Sequence, residues 1–318
     1  MAVGDEWGGE VASTVARTVG AACPNEAALH DSVSRVVQEV QQTQGPASHR
    51  LFALVVLGAM TGDPAPPVPV SAVSTLWWAG AEALDDIMDG SGAPERLAAA
   101  IACLAMVPQA LIAEADVPDD IRRSWSADLN RSSVVAAEGQ LTDLARDAGA
   151  LEWAKVMRTC VAKTGAAYAR DAVMAARLAN ATGPQLHAWH KFGELYGVLR
   201  QVHNDNDERP PEEDEDLANG TPTLMLAHFL DSADAEQTAE LLALRSRAAA
   251  DVAARVRMRE LLRQPGIVSG YNGKIVGLGA LAKSLLEQLA APSVYRELLA
   301  ARVDESVLLA LPRLPEDR

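Results

Sequence analysis

Cationic side chains are scarce in this sequence. It carries 28 Lys and Arg against 43 Asp and Glu, a formal net charge of −15. Such a balance excludes nucleic-acid binding through a general basic surface and excludes a polybasic membrane anchor. Cysteine is scarce too. Cys23, Cys103 and Cys160 are odd in number and far apart, so they make neither a disulfide framework nor a CxxC metal pattern. They read as reduced, buried thiols of a cytoplasmic protein. No run of about 18 apolar residues escapes a charge, Gly or Pro, so no membrane-spanning helix is expected. The acidic start MAVGDEWGGE lacks the positive end of a signal peptide. β-branched alternation of the strand type, internal repeats and low-complexity linkers are all missing.

What is present is helical. With 49% hydrophobic and 22% charged residues over 318 positions, the chain has globular composition and enough apolar mass for a sizeable core. Ala, Leu, Glu, Arg and Gln dominate. Apolar periodicity predicts helices over roughly 27–44, 50–60, 71–89, 93–115, 119–147, 150–180, 183–208, 222–231, 233–263, 273–291 and 293–309. Ser71 is the expected cap of the third of these that follows a loop, after the proline-rich connector 62–70. The acidic run Glu212–Asp216 reads as a solvated loop. The glycine-rich residues 1–25 are expected to be loosely ordered, and residues 26–318 to form one all-α domain.

Two acidic clusters stand out on helix faces. Asp85, Asp86 and Asp89 close the 71–89 helix. Asp85 and Asp89, at i and i+4, lie about 40° apart and repel each other by a few tenths of a kcal/mol. A hard divalent cation such as Mg²⁺ offsets that repulsion, taking one or two carboxylates and completing its shell with substrate phosphates. The second cluster is Gln201, Asn204, Asp205 and Glu208, the last three within roughly 60° on either side of Gln201 on the 183–208 helix. Phe192, Leu195, Leu199 and Val202 occupy the neighbouring apolar face. Trp78 lies seven residues before Asp85 and about 20° from it, so it sits two turns below the first cluster. An indole there is either core or a platform for a cation.

These segments resemble the class I isoprenoid synthases, in particular the trans-prenyltransferase (polyprenyl synthetase) branch, over roughly residues 45–300. Asp85-Asp86-Ile87-Met88-Asp89 is similar to the first aspartate-rich motif. Glu138-Gly139-Gln140 with Asp143 is similar to the GQ…D segment, and Lys163-Thr164-Gly165 to the KTG segment. Phe192-Gly193 through Gln201 to Glu208 resembles the FG…Q..DD..D motif, and Gly220-Thr221-Pro222-Thr223-Leu224 the GKPTL that follows it. The resemblance implies an antiparallel helix bundle around a deep apolar cavity. It also implies an allylic prenyl diphosphate substrate, Mg²⁺ ions (three in that family) on Asp85, Asp86, Asp89, Asn204, Asp205 and Glu208, and a homodimer. Gln140, Lys163, Thr164 and Gln201 become substrate contacts, with Lys163, Asp85 and Asp86 promoting ionisation.

The chain departs from that pattern where an acceptor diphosphate binds. Residues 45–50 read GPASHR, with Arg50 as their cation and no lysine; after Asp89 the basic pair is reduced to Arg96; Thr221 replaces a lysine. Each lost charge-assisted contact is worth about 1.5–3 kcal/mol. The expectation is therefore a Mg²⁺-dependent synthase that ionises an allylic diphosphate and cyclises or quenches the cation, or passes it to a non-diphosphate acceptor. The alternatives are chain elongation with isopentenyl diphosphate, using Arg50, Arg96 and His49, and a non-catalytic partner subunit.

Overall fold

The computed structural model describes residues 3–43, 51–63, 67–90, 92–145, 151–206 and 209–312. The helices in chain order are α1 Val3–Ala22, α2 Ala27–Thr43, α3 Phe52–Thr61, α4 Val68–Asp89, α5 Leu97–Ile101, α6 Val107–Glu114, α7 Asp119–Ala145 and α8 Trp153–Cys160. They continue with α9 Ala166–Leu178, α10 Gly183–Asp205, α11 Glu215–Asn219, α12 Leu224–Ser232, α13 Ala235–Arg245, α14 Val252–Leu262, α15 Pro265–Leu289 and α16 Val294–Ala310. No strand occurs among the described residues. The chain divides into two compact units: residues 1–133, 167–191 and 287–299, and residues 134–166, 192–286 and 300–318.

In the first unit the glycine-rich start, where loose order is expected, is the helix α1, with Val11, Val15 and Val19 buried at i, i+4 and i+8. Helix α4 begins at Val68 under Pro67, one turn ahead of the expected Ser71 cap; Ser71 is itself buried inside it. Prolines pre-set the helical φ at a first turn and have no N–H to lose there. Gly80 lets the 97–106 stretch approach: a Cβ there would stand 2.8 Å from the Ala100 carbonyl oxygen and 3.0 Å from the Cys103 Cβ. Between α5 and α6 the backbone opens into a wider π-type turn, the Val107 N–H reaching back to the Ala102 carbonyl. Pro94–Glu114 as a whole is long and apolar enough to cross a membrane, although 44% of its apolar window is buried inside the protein.

A polar knot sits in this core. Asp171 and Arg170 are both fully buried, paired at 2.8 Å. Ser74 Oγ donates to Asp171 Oδ2 at 2.6 Å. The Arg170 guanidinium lies 5.0 Å over the Trp77 ring, and the Trp77 indole N–H donates to Ser133. Burial pushes the Asp171 carboxyl upward, while Arg170 and Ser74 pull it back.

In the second unit Phe192, Leu199 and Val202 of α10 are fully buried, as the apolar face of that helix predicts. The expected 233–263 helix is two helices, α13 and α14, broken over 246–251. Asp251 caps α14 by accepting the Ala254 N–H at 3.2 Å. Helix α15 starts at Pro265, eight residues before the expected boundary. All three cysteines are buried and unbridged, and burial raises each thiol, Cys103 to about 12.

Candidate functional site

The expected site residues fall in both units, and each group is described in its own. In the first unit α4 ends at Gly90, whose φ of +82° lets its N–H turn back to the carbonyls of Asp86 and Ile87. Gly92 donates its N–H to the same Asp86 carbonyl at 2.8 Å. A Cβ on Gly92 would meet Asp86 and Ile87 backbone atoms within 2.9 Å, so only glycine seats this loop against the helix end. Asp85 and Asp86 are half-buried on the last turns. Arg96 bridges two carboxylates: Nη1 reaches Asp86 Oδ2 at 3.3 Å and Nη2 reaches Glu39 Oε2 at 2.5 Å. The one basic residue left after the first cluster is thus engaged by acids of its own unit. Trp78 is half-buried, 5.6 Å from the Tyr168 ring, which in turn stands edge-on to Phe52 at 5.3 Å. Trp77, not Trp78, takes the cation Arg170. The side chain of Asp89 lies outside the described residues, as do Arg50 and Glu208.

In the second unit the matched residues form two bonded groups that start from the adjacent residues Lys163 and Thr164. Lys163 Nζ pairs with Asp143 Oδ2 at 2.8 Å, both mostly buried. Thr164 Oγ1 donates to Gln201 Oε1, and Gln201 Nε2 donates to Asp205 Oδ1 at 2.7 Å. Two local features make this possible. A π-type turn over Val161–Gly165, where the Ala166 N–H reaches the Val161 carbonyl, carries Lys163 and Thr164. Gly139 lets α7 approach that turn: a Cβ there would come 2.6 Å from the Lys163 backbone nitrogen. Gln140 is half-buried beside it, whereas Asn204 is exposed on α10.

Part of the acidic run is not a solvated loop. Asp214 caps α11, its Oδ1 accepting the Leu217 N–H at 2.9 Å, and its Oδ2 takes Arg259 Nη2 at 2.7 Å. Asp216 is half-buried beside a pocket that Asp205 also lines. Burial and then the Asp216 charge push the Asp205 carboxyl up to about 8, against the pull of Gln201 and Lys163. Burial raises Asp216 to about 6, with Asp214 and Asp143 adding repulsion and Thr221 and Lys163 opposing it. Asp216 is the residue that reading the sequence missed. Its signal was available in Asp214, a capping residue directly before a short helix.

The donors assembled here suit Mg²⁺. They are carboxylate and amide oxygens, and the crowded pair Asp205–Asp216 is the kind of repulsion a divalent cation relieves. Among the described residues no three acidic, His or Cys side chains come together as a ready-made cage, so substrate oxygens would have to complete the shell.

Residues 126–261 match the polyprenyl synthetase family model. The whole chain is similar in fold to a geranylgeranyl pyrophosphate synthetase from Pyrococcus horikoshii, at 17% identity and a TM-score of 0.78, covering 95% of this chain and 98% of that one. A geranylgeranyl pyrophosphate synthase from Corynebacterium glutamicum, complexed with isoprenyl diphosphate and magnesium, gives 18% identity and a TM-score of 0.80, covering 96% and 99%. A decaprenyl diphosphate synthase from Rhodobacter capsulatus gives 17% and 0.75, covering 94% and 96%. No curated protein matches the chain. The fold is the all-α isoprenoid synthase fold. Residues 126–261 thus resemble polyprenyl synthetases in sequence, and the chain resembles prenyl diphosphate synthases in fold.

Proposed function

We propose that the protein is a Mg²⁺-dependent prenyltransferase that ionises an allylic prenyl diphosphate and joins the resulting cation to isopentenyl diphosphate, releasing pyrophosphate. The observation that carries this reading is the pair Lys163–Asp143 beside the chain Thr164–Gln201–Asp205, a cation and half-buried carboxylates brought together by adjacent residues of one turn. The family match and the names of the similar structures support elongation over cyclisation. When bound, Mg²⁺ supplies Lewis-acid neutralisation of diphosphate oxygens. Lys163, oriented by Asp143, donates to the leaving diphosphate as the allylic C1–O bond breaks and negative charge develops. Gln201 donates to the Asp205 carboxylate and would orient it for Mg²⁺, and Thr164 holds Gln201. In the second unit Asn204 and Glu208 are assigned as metal ligands with Asp205, and Asp216 lies beside it; in the first unit Asp85, Asp86 and Asp89 are assigned as metal ligands. Trp78 and Tyr168 offer aromatic faces to a carbocation, worth about 2 kcal/mol when desolvated. Carbon–carbon bond formation at C1 then takes electrons from the isopentenyl double bond, and loss of a proton restores a neutral chain. We assign the enzyme to the cytoplasm and to a homodimer.

One observation favours a second reading, in which the cation is cyclised or quenched. Arg96 is engaged by Asp86 and Glu39, and Thr221 brings no charge, so the basic residues for an acceptor diphosphate are few. The deciding experiment incubates the protein and Mg²⁺ with geranyl, farnesyl or geranylgeranyl diphosphate, with and without isopentenyl diphosphate. A longer prenol after phosphatase treatment, appearing only with isopentenyl diphosphate, is the expected result. A hydrocarbon or terpene alcohol without it would replace elongation by cyclisation. No product under either condition points to a non-catalytic subunit.

A further inference from the structure

The pocket of the second unit has walls of opposite character. Asp205, Asp214 and Asp216 line it, and so do Arg259 and Arg263, with Thr221 among them. The carboxylate wall asks for a cation and the arginine wall for an anion. A bare cation would sit against guanidinium, and a bare anion against three carboxylates. A divalent cation that carries a diphosphate satisfies both walls at once.

The arginine wall is built for the purpose. Arg259 is about one-fifth exposed and is aimed by a single contact, Nη2 to Asp214 Oδ2 at 2.7 Å. Asp214 is itself immobilised by its capping bond to Leu217. The remaining guanidinium donors of Arg259 meet no acceptor among the described residues, and a guanidinium presents five N–H groups in a fixed fork. Arg245 clamps the Gly220 carbonyl with Nε at 2.9 Å and Nη2 at 2.6 Å. That clamp fixes the turn at Gly220, φ +64°, and with it Thr221, whose N–H is held by the Asp216 carbonyl at 2.9 Å. A short uncharged side chain on the fixed turn leaves the cationic part to Arg259 of α14 and to Arg263.

We propose that Arg259 is a diphosphate-binding residue: it grips the phosphate end of a magnesium diphosphate seated in this pocket, supplying from α14 the charge that Thr221 does not. The assignment rests on the function proposed above and adds to it a specificity-determining residue for the phosphate group.

The test is calorimetric titration of the full-length protein with inorganic pyrophosphate in the presence of Mg²⁺, together with KM and kcat for farnesyl diphosphate. Arg259→Gln is expected to weaken pyrophosphate about tenfold, the loss of one charge-assisted contact, and to raise KM by more than it lowers kcat. Thr221→Lys in the Arg259→Gln background is expected to recover most of the pyrophosphate affinity, since it returns a cation to the lining of the same pocket. Equal pyrophosphate binding by wild type and Arg259→Gln overturns the proposal and leaves the proposed function standing. A loss that Thr221→Lys does not reverse, accompanied by a lowered melting temperature, overturns it in favour of a structural role for the Asp214 pair. Wild-type protein that binds no pyrophosphate with Mg²⁺ overturns the functional reading and the subsite with it. If Arg259→Gln does not fold, Arg259→Lys serves: it keeps an ammonium for Asp214 but loses the fork, and unchanged pyrophosphate binding there overturns the proposal.

Discussion

At the scale of the residue, the buried pair Arg170–Asp171 depends on a hydroxyl. Ser74 Oγ is the neutral donor to a carboxylate that has no exposure, so Ser74→Ala is expected to destabilise the protein by about 1–3 kcal/mol. Asp171→Ala costs more, about 3–5 kcal/mol, because it strands Arg170 under Trp77. Denaturant melts of both variants check the order. Asp205 gives a prediction in pH. Its carboxyl is raised in the folded, metal-free protein, which therefore binds more protons than the unfolded chain from the ordinary carboxylate range up to about 8. Its contribution must then favour folding at the acid end and be lost as the pH rises through that window. The melting temperature of metal-free protein is expected to fall between pH 5 and 8 more steeply than that of Asp205→Asn, and an identical slope would contradict the burial argument. The sequence showed Asp205 as a member of a helix stripe. It could not show the crowding with Asp216, because the two are eleven positions apart on different helices, α10 and α11, and only the fold brings them to one pocket.

At the scale of the element, apolar period and breakers located most helices, and the errors have causes. The break at 246–251 runs through Ser-Arg-Ala-Ala-Ala-Asp, composition that favours helix, so local propensity pointed the wrong way there. The cap at Asp251 was the readable sign. The proline start of α15 was equally readable. Lys163 and Asp143 lie on different helices, and their pairing depends on a close crossing that no periodicity reports. Gly139 makes that crossing. Gly139→Ala would place a methyl 2.6 Å from the Lys163 backbone nitrogen and 2.9 Å from the Ala162 carbonyl carbon, neither of which can rotate away. A loss of about 1–3 kcal/mol is expected, with activity falling further than stability because the Lys163 turn is displaced. Gly183→Ala, at a glycine with open space around it, is the comparison and should stay near wild type. Activity in Gly139→Ala that merely follows the folded fraction would sever the link between that crossing and Lys163.

At the scale of the whole molecule, sequence order and spatial order differ. The first unit needs residues 167–191 and 287–299 as well as 1–133. Inside it, Trp125 donates to the Met174 carbonyl at 2.9 Å, Arg177 pairs with Asp128 at 2.7 Å and Gly58 packs on the Tyr295 ring. A fragment ending at 133 is thus expected to retain helix in far-ultraviolet circular dichroism yet show no near-ultraviolet signal and no cooperative melt; a sharp melting transition would disprove the interdependence. Composition and motif order made the all-α class legible, but the interleaving was not, because nothing in a periodic pattern tells which helices share a core. That interleaving sets a schedule on the ribosome. Residues 1–133 leave the exit tunnel with Ser74, Trp125 and Asp128 still lacking partners, and the last piece of their unit ends at residue 299. At about 5–20 residues per second that wait lasts roughly ten to thirty seconds. Until then α3 lacks the Tyr168 and Tyr295 rings on which Phe52 and Gly58 pack, so the nascent chain most needs a chaperone in the middle of its synthesis rather than at its end.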